Sequence, residues 1–481
     1  MNVAVVAPTP VPFARGGAER VWAGLHRAFQ DHPDHDAELV KLPVREDTLP
    51  GLIEAYRAFA ALDLSHFDLI VTSKYPAWIV PHVNHVVWMF HPLRGLYDTY
   101  HTFGLPTQVA ATEPAMRDLV AFLGERAPSR AALVECFARW DLVLSELGAG
   151  HPELGLPSPV ARALVHWLDR LALSTSEVVR HLALSRTVGA RSGYFPRGVT
   201  PTVVYPPPDL FPGEPDAGAS NDPKPLFTVS RLDRPKRLDL LIRAMALLPG
   251  PTSLLIGGTG PAEEELRALA AGDDRIRFLG FVDDHDLARH YTDAVAVPFL
   301  PADEDLGLIT LEAMACATPV VTCADSGGPT EFVLDGITGL VVEPTVAAMG
   351  RALGRLVSDP DEPPGWAQRP SAGWPASGGR RRWRPYSATV GRCVDRRHPC
   401  GRQPDDRTTP TVPAPGGGDH HVRGGQPPPW RPAPVLPPLR GAGPARRRRH
   451  HQPGRQRQRR GERQLALDCE RSEWPGRPPI A

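Results

Sequence analysis

Cysteine and lysine are both scarce in this chain of 481 residues. The six cysteines are scattered without a secreted-scaffold spacing, which suits a reducing compartment and excludes a small disulfide-stapled fold. Cys393, His398 and Cys400 lie close together, but no second ligand pair follows at zinc-site spacing, so no metal is expected. Only four lysines occur, Lys41, Lys74, Lys224 and Lys236, and none stands in a context that suggests a Schiff-base lysine. No apolar run approaches the ~18–20 residues needed to span a bilayer. Residues 1–8 lack the basic region and long apolar stretch of a signal peptide and read as a buried strand. The expectation is a cytoplasmic protein. The apolar and aromatic stretch 75–88 also raises peripheral docking at the inner membrane face, against the plainer reading of a buried core.

The formal net charge of zero hides a division. Residues 1–360 carry about −14 and residues 361–481 about +14. The second stretch is rich in Arg, Pro and Gly, contains no Phe and no Met, and shows neither the helix nor the strand period. Its composition predicts disorder. Such a tail is either a genuine basic extension or the product of a reading frame shifted near residue 362. Its arginines would attract nucleic acid or anionic lipid by charge alone. Without interleaved aromatics or a defined module, no specific nucleic-acid partner is expected.

Up to about residue 360 short apolar runs alternate with helical patterns. Strands are expected at 3–7, 69–72, 85–89, 226–230, 253–257, 276–279, 294–298, 319–322 and 339–342, several of them continuous Val/Ile/Leu runs of the kind covered on both faces. Helices are expected at 17–30, 238–248, 262–271 and 309–315, with further inserted helices between 99 and 173. Strand and helix in alternation imply parallel, doubly wound sheets of the α/β class. The pattern occurs twice, and the consecutive prolines at 206–208 mark the crossing. Three segments follow: 1–205, 206–360 and the tail 361–481.

In such sheets ligands bind beyond the carboxyl ends of the strands. The strand at 226–230 leads into Arg231 and Lys236, whose charges suit phosphate oxygens. The strand at 253–257 leads into a turn containing Gly258, which lets backbone approach a ligand. The most specific string is Asp303-Glu304-Asp305-Leu306-Gly307-Leu308, followed by a helix holding Glu312. The helix start, with Gly307 beside it, offers free N–H groups to an anion, while carboxylates accept paired hydrogen bonds from vicinal hydroxyls. In the first half Gly16 and Gly17 open a helix after the first strand, and His91 closes the strand at 85–89.

These residues resemble a known family. Glu304-x7-Glu312, Thr318-Pro319-Val320-Val321, Ser326-Gly327-Gly328-Pro329-Thr330-Glu331 and Arg231-x4-Lys236 are similar to the retaining glycosyltransferases of family 4, over about residues 1–360. The resemblance implies two Rossmann-like domains facing a cleft, the GT-B fold, with the acceptor side in 1–205 and the donor side in 206–360. It implies a nucleoside-diphosphate sugar donor and a glycan or lipid-linked acceptor, and transfer with retention and no required cofactor or metal. Arg231 and Lys236 would stabilise the departing diphosphate, Glu304 would contact the donor sugar's hydroxyls, and His91 would serve as the cleft histidine. Gly16, Gly17, Gly258, Gly307, Leu308 and Glu312 would hold the donor, Glu312 through the ribose. Ala317 departs from the family's usual glycine. The helix that begins at 351–357 gives way to the tail, where family members continue with helices that cross back onto the first domain. Two readings therefore stand beside the leading one: a truncated or frameshifted homologue without activity, and a GT-B-fold sugar-nucleotide epimerase.

Overall fold

The computed structural model describes residues 1–10, 16–206 and 224–358. The expectations placed on Cys393, His398, Cys400 and the tail 361–481 lie outside the described residues, as do Arg15 and Pro207–208.

Among the described residues the strands run β1 (Asn2–Pro10), β2 (Asp36–Val44), β3 (Leu69–Lys74), β4 (His85–His91), β5 (Arg180–Ala183), β6 (Thr202–Val203), β7 (Leu226–Val229), β8 (Leu254–Gly257), β9 (Ile276–Gly280), β10 (Val297–Pro298), β11 (Val320–Cys323) and β12 (Gly339–Val342). The helices are α1 (Gly17–Gln30), α2 (Leu49–Ala60), α3 (Pro114–Glu125), α4 (Arg130–Leu147), α5 (Pro159–Ala172), α6 (Arg186–Ala190), α7 (Leu238–Met245), α8 (Glu263–Ala270), α9 (Asp284–Asp293), α10 (Leu308–Ala315) and α11 (Val346–Ser358). All nine expected strands are present, and α1 has the expected bounds. The 99–173 insertion contains α3, α4 and α5. Three strands were not expected, β2, β5 and the two-residue β6, each for a local reason. β2 is an edge strand interrupted by exposed Asp36 and Glu38 and by Lys41, which lies over the Trp22 ring, so it has no continuous apolar run, and its Pro43 is tolerated at the edge. β5, Arg-His-Leu-Ala, is short and half polar.

The first sheet has the order β2-β1-β3-β4-β5-β6, with every pair parallel. Residues Val3–Ala7 of β1 are at most 1% exposed, because helices cover both faces of this central strand. Five tryptophans, Trp22, Trp78, Trp88, Trp140 and Trp167, fill the surrounding core. Each of four indole N–H groups finds an acceptor: Ser73 Oγ for Trp22, Asp169 Oδ1 for Trp78, the Val204 carbonyl for Trp88 and the Arg126 carbonyl for Trp167. Burial of such large rings with their polar atoms satisfied makes this the heavier core.

The second half contains two three-stranded parallel sheets, β7-β8-β9 and β10-β11-β12. A parallel bridge between Leu226 and Ala296 joins them, with Phe227 N–H donating to the Ala296 carbonyl at 3.2 Å. Read across the join, the order is β9-β8-β7-β10-β11-β12, the doubly wound arrangement whose direction reverses between β7 and β10. A reversal of this kind leaves a crevice beyond the carboxyl ends of the two strands. The loops after β7 and β10 both empty into it, and they carry Arg231, Lys236 and Glu304. The first sheet reverses between β1 and β3, which puts the Gly16–Gly17 turn at the corresponding place in its half.

Candidate functional site

The chain between β7 and α7 makes a short helical turn, Arg234–Lys236, and the Lys236 Nζ donates to Glu304 Oε2 at 2.6 Å. The Lys236 side chain is 19% exposed and that of Glu304 26%, and the ammonium also lies 5.7 Å from the Phe299 ring centroid. Glu304 is fixed through its backbone. Its N–H donates to the Ser326 carbonyl at 2.9 Å and its carbonyl accepts from Gly328 N–H at 2.8 Å. The Ser-Gly-Gly string thus brackets the acidic loop. Arg237, next to Lys236, donates to the carbonyls of Leu300 and Pro301 and pairs with Asp325 at 2.7 Å, which fastens the two loops of the crevice together.

Gly307 precedes α10 with φ +80°, and a Cβ there would fall 2.8 Å from Pro329 and 2.9 Å from the Phe299 ring. Conformation and space both require glycine. From α10 Glu312 points into the protein and is only 5% exposed. Its Oε1 accepts from Arg20 Nη1 at 2.8 Å and its Oε2 from the Tyr291 hydroxyl at 2.9 Å. Burial pushes its carboxyl above the ordinary range, and Arg20 and Tyr291 oppose that shift.

Arg20 belongs to α1 in the first half, so this pair spans the two sheets. Gly17 lies beside it: a Cβ on Gly17 would stand 3.2 Å from the Leu308 side chain. Gly16 N–H donates to Glu19 Oε2 at 3.2 Å and leads the chain into α1. Gly17, Leu308 and, through Arg20, Glu312 are therefore gathered in one place, with Gly16 next to Gly17, and Lys236 of the β7 loop meets Glu304 of the acidic loop in another nearby.

Other contacts across the halves have one polarity. Arg94 donates to Asp303 Oδ2 at 2.7 Å and Arg191 to Asp303 Oδ1 at 3.0 Å, and Arg191 also binds the Asp305 carboxylate. Ser185 Oγ donates to the Asp305 carbonyl at 2.5 Å. Glu331 accepts the backbone N–H groups of Arg186 and Thr187, the Thr187 hydroxyl at 2.6 Å and the Tyr205 hydroxyl at 2.7 Å. Its carboxylate thereby satisfies the start of α6 from outside.

Three expected residues stand apart. The Arg231 side chain is 71% exposed and makes only a 3.6 Å approach to Asp233. Gly258, with φ +108°, sits so close to the β7 loop that a Cβ would lie 1.9 Å from the Ser230 carbonyl oxygen. The glycine is thus required by loop-on-loop packing. His91 ends β4, and its Nδ1–H donates to the Pro92 carbonyl at 2.8 Å, leaving Nε2 as an acceptor. Burial lowers its pKa, partly offset by Asp305, so the imidazole is neutral at pH 7. Of the residues that complete the constellation, Arg20 follows closely on the Gly16–Gly17 pair and Arg94 on His91. Tyr291 and Arg191 carry no local sequence signal.

Residues 214–369 match the family described as glycosyl transferases, group 1. Two curated relatives come from Mycolicibacterium smegmatis. A D-inositol 3-phosphate glycosyltransferase is 37% identical over 215 residues, 41% of this chain and 47% of that protein. A GDP-mannose-dependent alpha-(1-6)-phosphatidylinositol monomannoside mannosyltransferase is 36% identical over 173 residues, 32% of this chain and 45% of that protein. The chain spans about half the length of the curated relatives it matches. Sucrose-phosphate synthase from Thermosynechococcus elongatus is similar in fold, with a TM-score of 0.50 at 20% identity, over 76% of this chain and 91% of that one. The resemblance read from Glu304 to Glu331 holds, and the fold is GT-B. No helix among the described residues is long and apolar enough to cross a membrane.

Proposed function

We propose that the chain binds a nucleoside-diphosphate sugar in the crevice of its donor-side half, 206–360. It then transfers a hexose-type sugar to an acceptor hydroxyl held by the half 1–205, with retention of anomeric configuration, in glycan or polysaccharide synthesis. The observation that carries this reading is the Lys236–Glu304 pair at the reversal point of the second sheet, inside a segment that matches the group 1 glycosyltransferase family.

A diphosphate that leaves with the bonding electron pair gains negative charge, and a fixed ammonium beside it lowers the barrier selectively. Lys236 supplies that charge, and the exposed Arg231 swings in to join it. Glu304, released from Lys236 as the phosphate arrives, accepts hydrogen bonds from sugar hydroxyls. Glu312 takes the ribose hydroxyls, for which each of its oxygens keeps a lone pair beyond those used by Arg20 and Tyr291. His91 Nε2 accepts from a sugar hydroxyl. The bond from the anomeric carbon to the diphosphate oxygen breaks as the acceptor oxygen bonds to the same face, and the acceptor's proton passes to the departing phosphate. No metal takes part in this scheme. One relative is named for a GDP-linked donor, so guanine heads the donors to try.

A thermal-shift screen against UDP-, GDP-, ADP- and TDP-sugars reads donor binding by mass action. Release of free nucleoside diphosphate then distinguishes transfer from epimerisation. Lys236→Ala and Glu312→Ala are each expected to cut transfer by at least about 100-fold. Undiminished transfer in both, with circular dichroism matching the parent, refutes the site.

A further inference from the structure

The two groups that hold the Glu312 carboxylate differ in kind. Arg20 reaches it from the other half and is shared with Asp284. Tyr291 stands on α9, in Glu312's own half, and its hydroxyl donates to Oε2 at 2.9 Å. A guanidinium supplied by the other half is lost when the halves part or when a ligand competes for it. The phenol stays, because the fold fixes it. Thr318, in the turn after α10, donates its hydroxyl to the Tyr291 carbonyl at 2.6 Å and its N–H to the Ala313 carbonyl at 3.0 Å. This turn joins the end of α9 to the helix that carries Glu312. The Tyr291 ring is fully covered and meets Phe227 of β7 edge-on, with centroids 5.3 Å apart.

What Glu312 can accept depends on how its carboxylate is turned. The terminal torsion of a glutamate is broad, so an unanchored carboxylate rotates toward whichever donor is near. Anchored at Oε2, this one presents Oε1 to the side from which Arg20 comes. Burial lifts the phenol well above its ordinary pKa, and Glu312 adds to the effect, so Tyr291 remains an O–H donor. The groups that face Glu312 are Arg20 of α1, Tyr291 and Asp284 of α9, and Cys316 at the end of α10, a thiol that burial keeps neutral. Burial raises the Glu312 carboxyl, Arg20 and Tyr291 lower it, and Asp284 raises it. Without the Tyr291 hydroxyl the balance moves toward the protonated form, which has one acceptor fewer.

We propose that Tyr291 is a positioning residue that holds the Glu312 carboxylate for the paired hydroxyls of a ribose, and so sets a preference for ribonucleotide over 2′-deoxyribonucleotide donors. The inference rests on the donor reading above, and Tyr291 acts through Glu312 without touching the ligand. The 2′- and 3′-hydroxyls both donate to one carboxylate only when it is turned to meet both. A 2′-deoxy sugar brings one hydroxyl and tolerates either orientation. A site built for a hydroxyl rejects the analogue without it, because a covered polar group is then left unpaired.

The full chain is titrated calorimetrically with UDP and GDP and with their 2′-deoxy counterparts. The parent is expected to bind the better ribonucleotide at least about tenfold more tightly than its 2′-deoxy form. Tyr291→Phe, which removes one oxygen from a covered ring, should cut that preference to about threefold or less, with 2′-deoxy binding changed by less than about twofold. A purely structural role would weaken both ligands alike and overturns the inference. In a Glu312→Ala background Tyr291→Phe should leave the preference where Glu312→Ala put it, since the two act as a unit. In the parent the preference fades as falling pH protonates Glu312, and in Tyr291→Phe it should fade at a higher pH. A preference that survives Tyr291→Phe, or that fades at the same pH in both proteins, overturns the inference. Equal binding of ribo- and 2′-deoxy forms by the parent sinks it too while the donor reading stands. Failure of the parent to bind either form sinks the donor reading itself.

Discussion

The two halves of the described chain contribute opposite things to the surface between them. The first supplies cations and N–H or O–H donors: Arg20, Arg94, Arg191, Ser185 and the opening of α6. The second supplies carboxylates: Asp303, Asp305, Glu312 and Glu331. Within this pattern Glu304 and Glu312, eight residues apart, have opposite surroundings. Glu304 is partly open and held by a lysine of its own half, while Glu312 is buried and held by an arginine of the other. One acidic segment thus keeps one carboxylate partly open within its own half and uses the other to tie the halves together.

The tie is concentrated on Arg191. Its nearly buried guanidinium meets Asp303, which is 57% exposed, and Asp305, which is 17% exposed and would be left with a 3.6 Å approach from Arg94, so removing it strands chiefly the Asp305 charge where water has little access. Arg191→Ala is expected to lower stability by about 3–5 kcal/mol in urea unfolding. Asp305→Ala on top of it should cost much less than on its own, since the two losses share one cause. Additive losses would show that the contact does not hold the halves together.

A buried carboxylate in the first half gives a second contrast. Asp169 accepts from Tyr56, Trp78 and Tyr97, all neutral, at 2.6–2.7 Å. Burial raises its pKa from the ordinary 3.8 to about 6, the three donors opposing. A folded pKa above the unfolded one means that the contribution is fully present below about pH 4 and is lost as pH rises through about 6. Relative to Asp169→Asn, the parent should therefore lose up to about 3 kcal/mol of stability between pH 4 and pH 7. A parallel pair of pH–stability curves would contradict this. Glu312, which has a cation at hand, was given its companion by the other half of the chain.

Much of this was legible in the sequence, and the limit was set by distance along the chain. Continuous apolar runs gave the buried strands, and the spacing from Glu304 to Glu312 located the crevice. Lys236 was legible as a strand-end charge. The Arg20–Glu312 contact joins residues 292 positions apart, and Arg191 lies in a turn with no pattern of its own. Such pairs are set by how two sheets pack, which no local period records. Gly258 is a milder case: its need for glycine was legible, but the neighbour that imposes it is the Ser230 backbone.

Glu331 tests whether the tie needs charge at all. It takes two backbone N–H groups and two hydroxyls. Glu331→Ala leaves the start of α6 unsatisfied and should cost about 2 kcal/mol. The loss should be nearly independent of salt, since no ion pair is broken. A strong salt dependence would point to a charged partner instead.

The smallest effect bears on function most directly. In this structure the Glu312 carboxylate already has Arg20 on one oxygen, so a ribose must share or displace it. Arg20→Met keeps the apolar stem and removes the competitor. Asp284, which also binds Arg20 at 2.5 Å, is 55% exposed and is resolvated at little cost. Glu312 itself stays covered and keeps Tyr291, so its vacated oxygen is a stronger acceptor for an incoming hydroxyl. Nucleoside diphosphate should then bind about threefold more tightly, roughly 0.6 kcal/mol, with a small fall in thermal stability from the lost cross-half pair. Calorimetric titration of the parent and the variant measures this. If binding weakens instead, Arg20 is itself part of the donor site, touching phosphate or base, and its contact with Glu312 marks where the ligand's charge belongs.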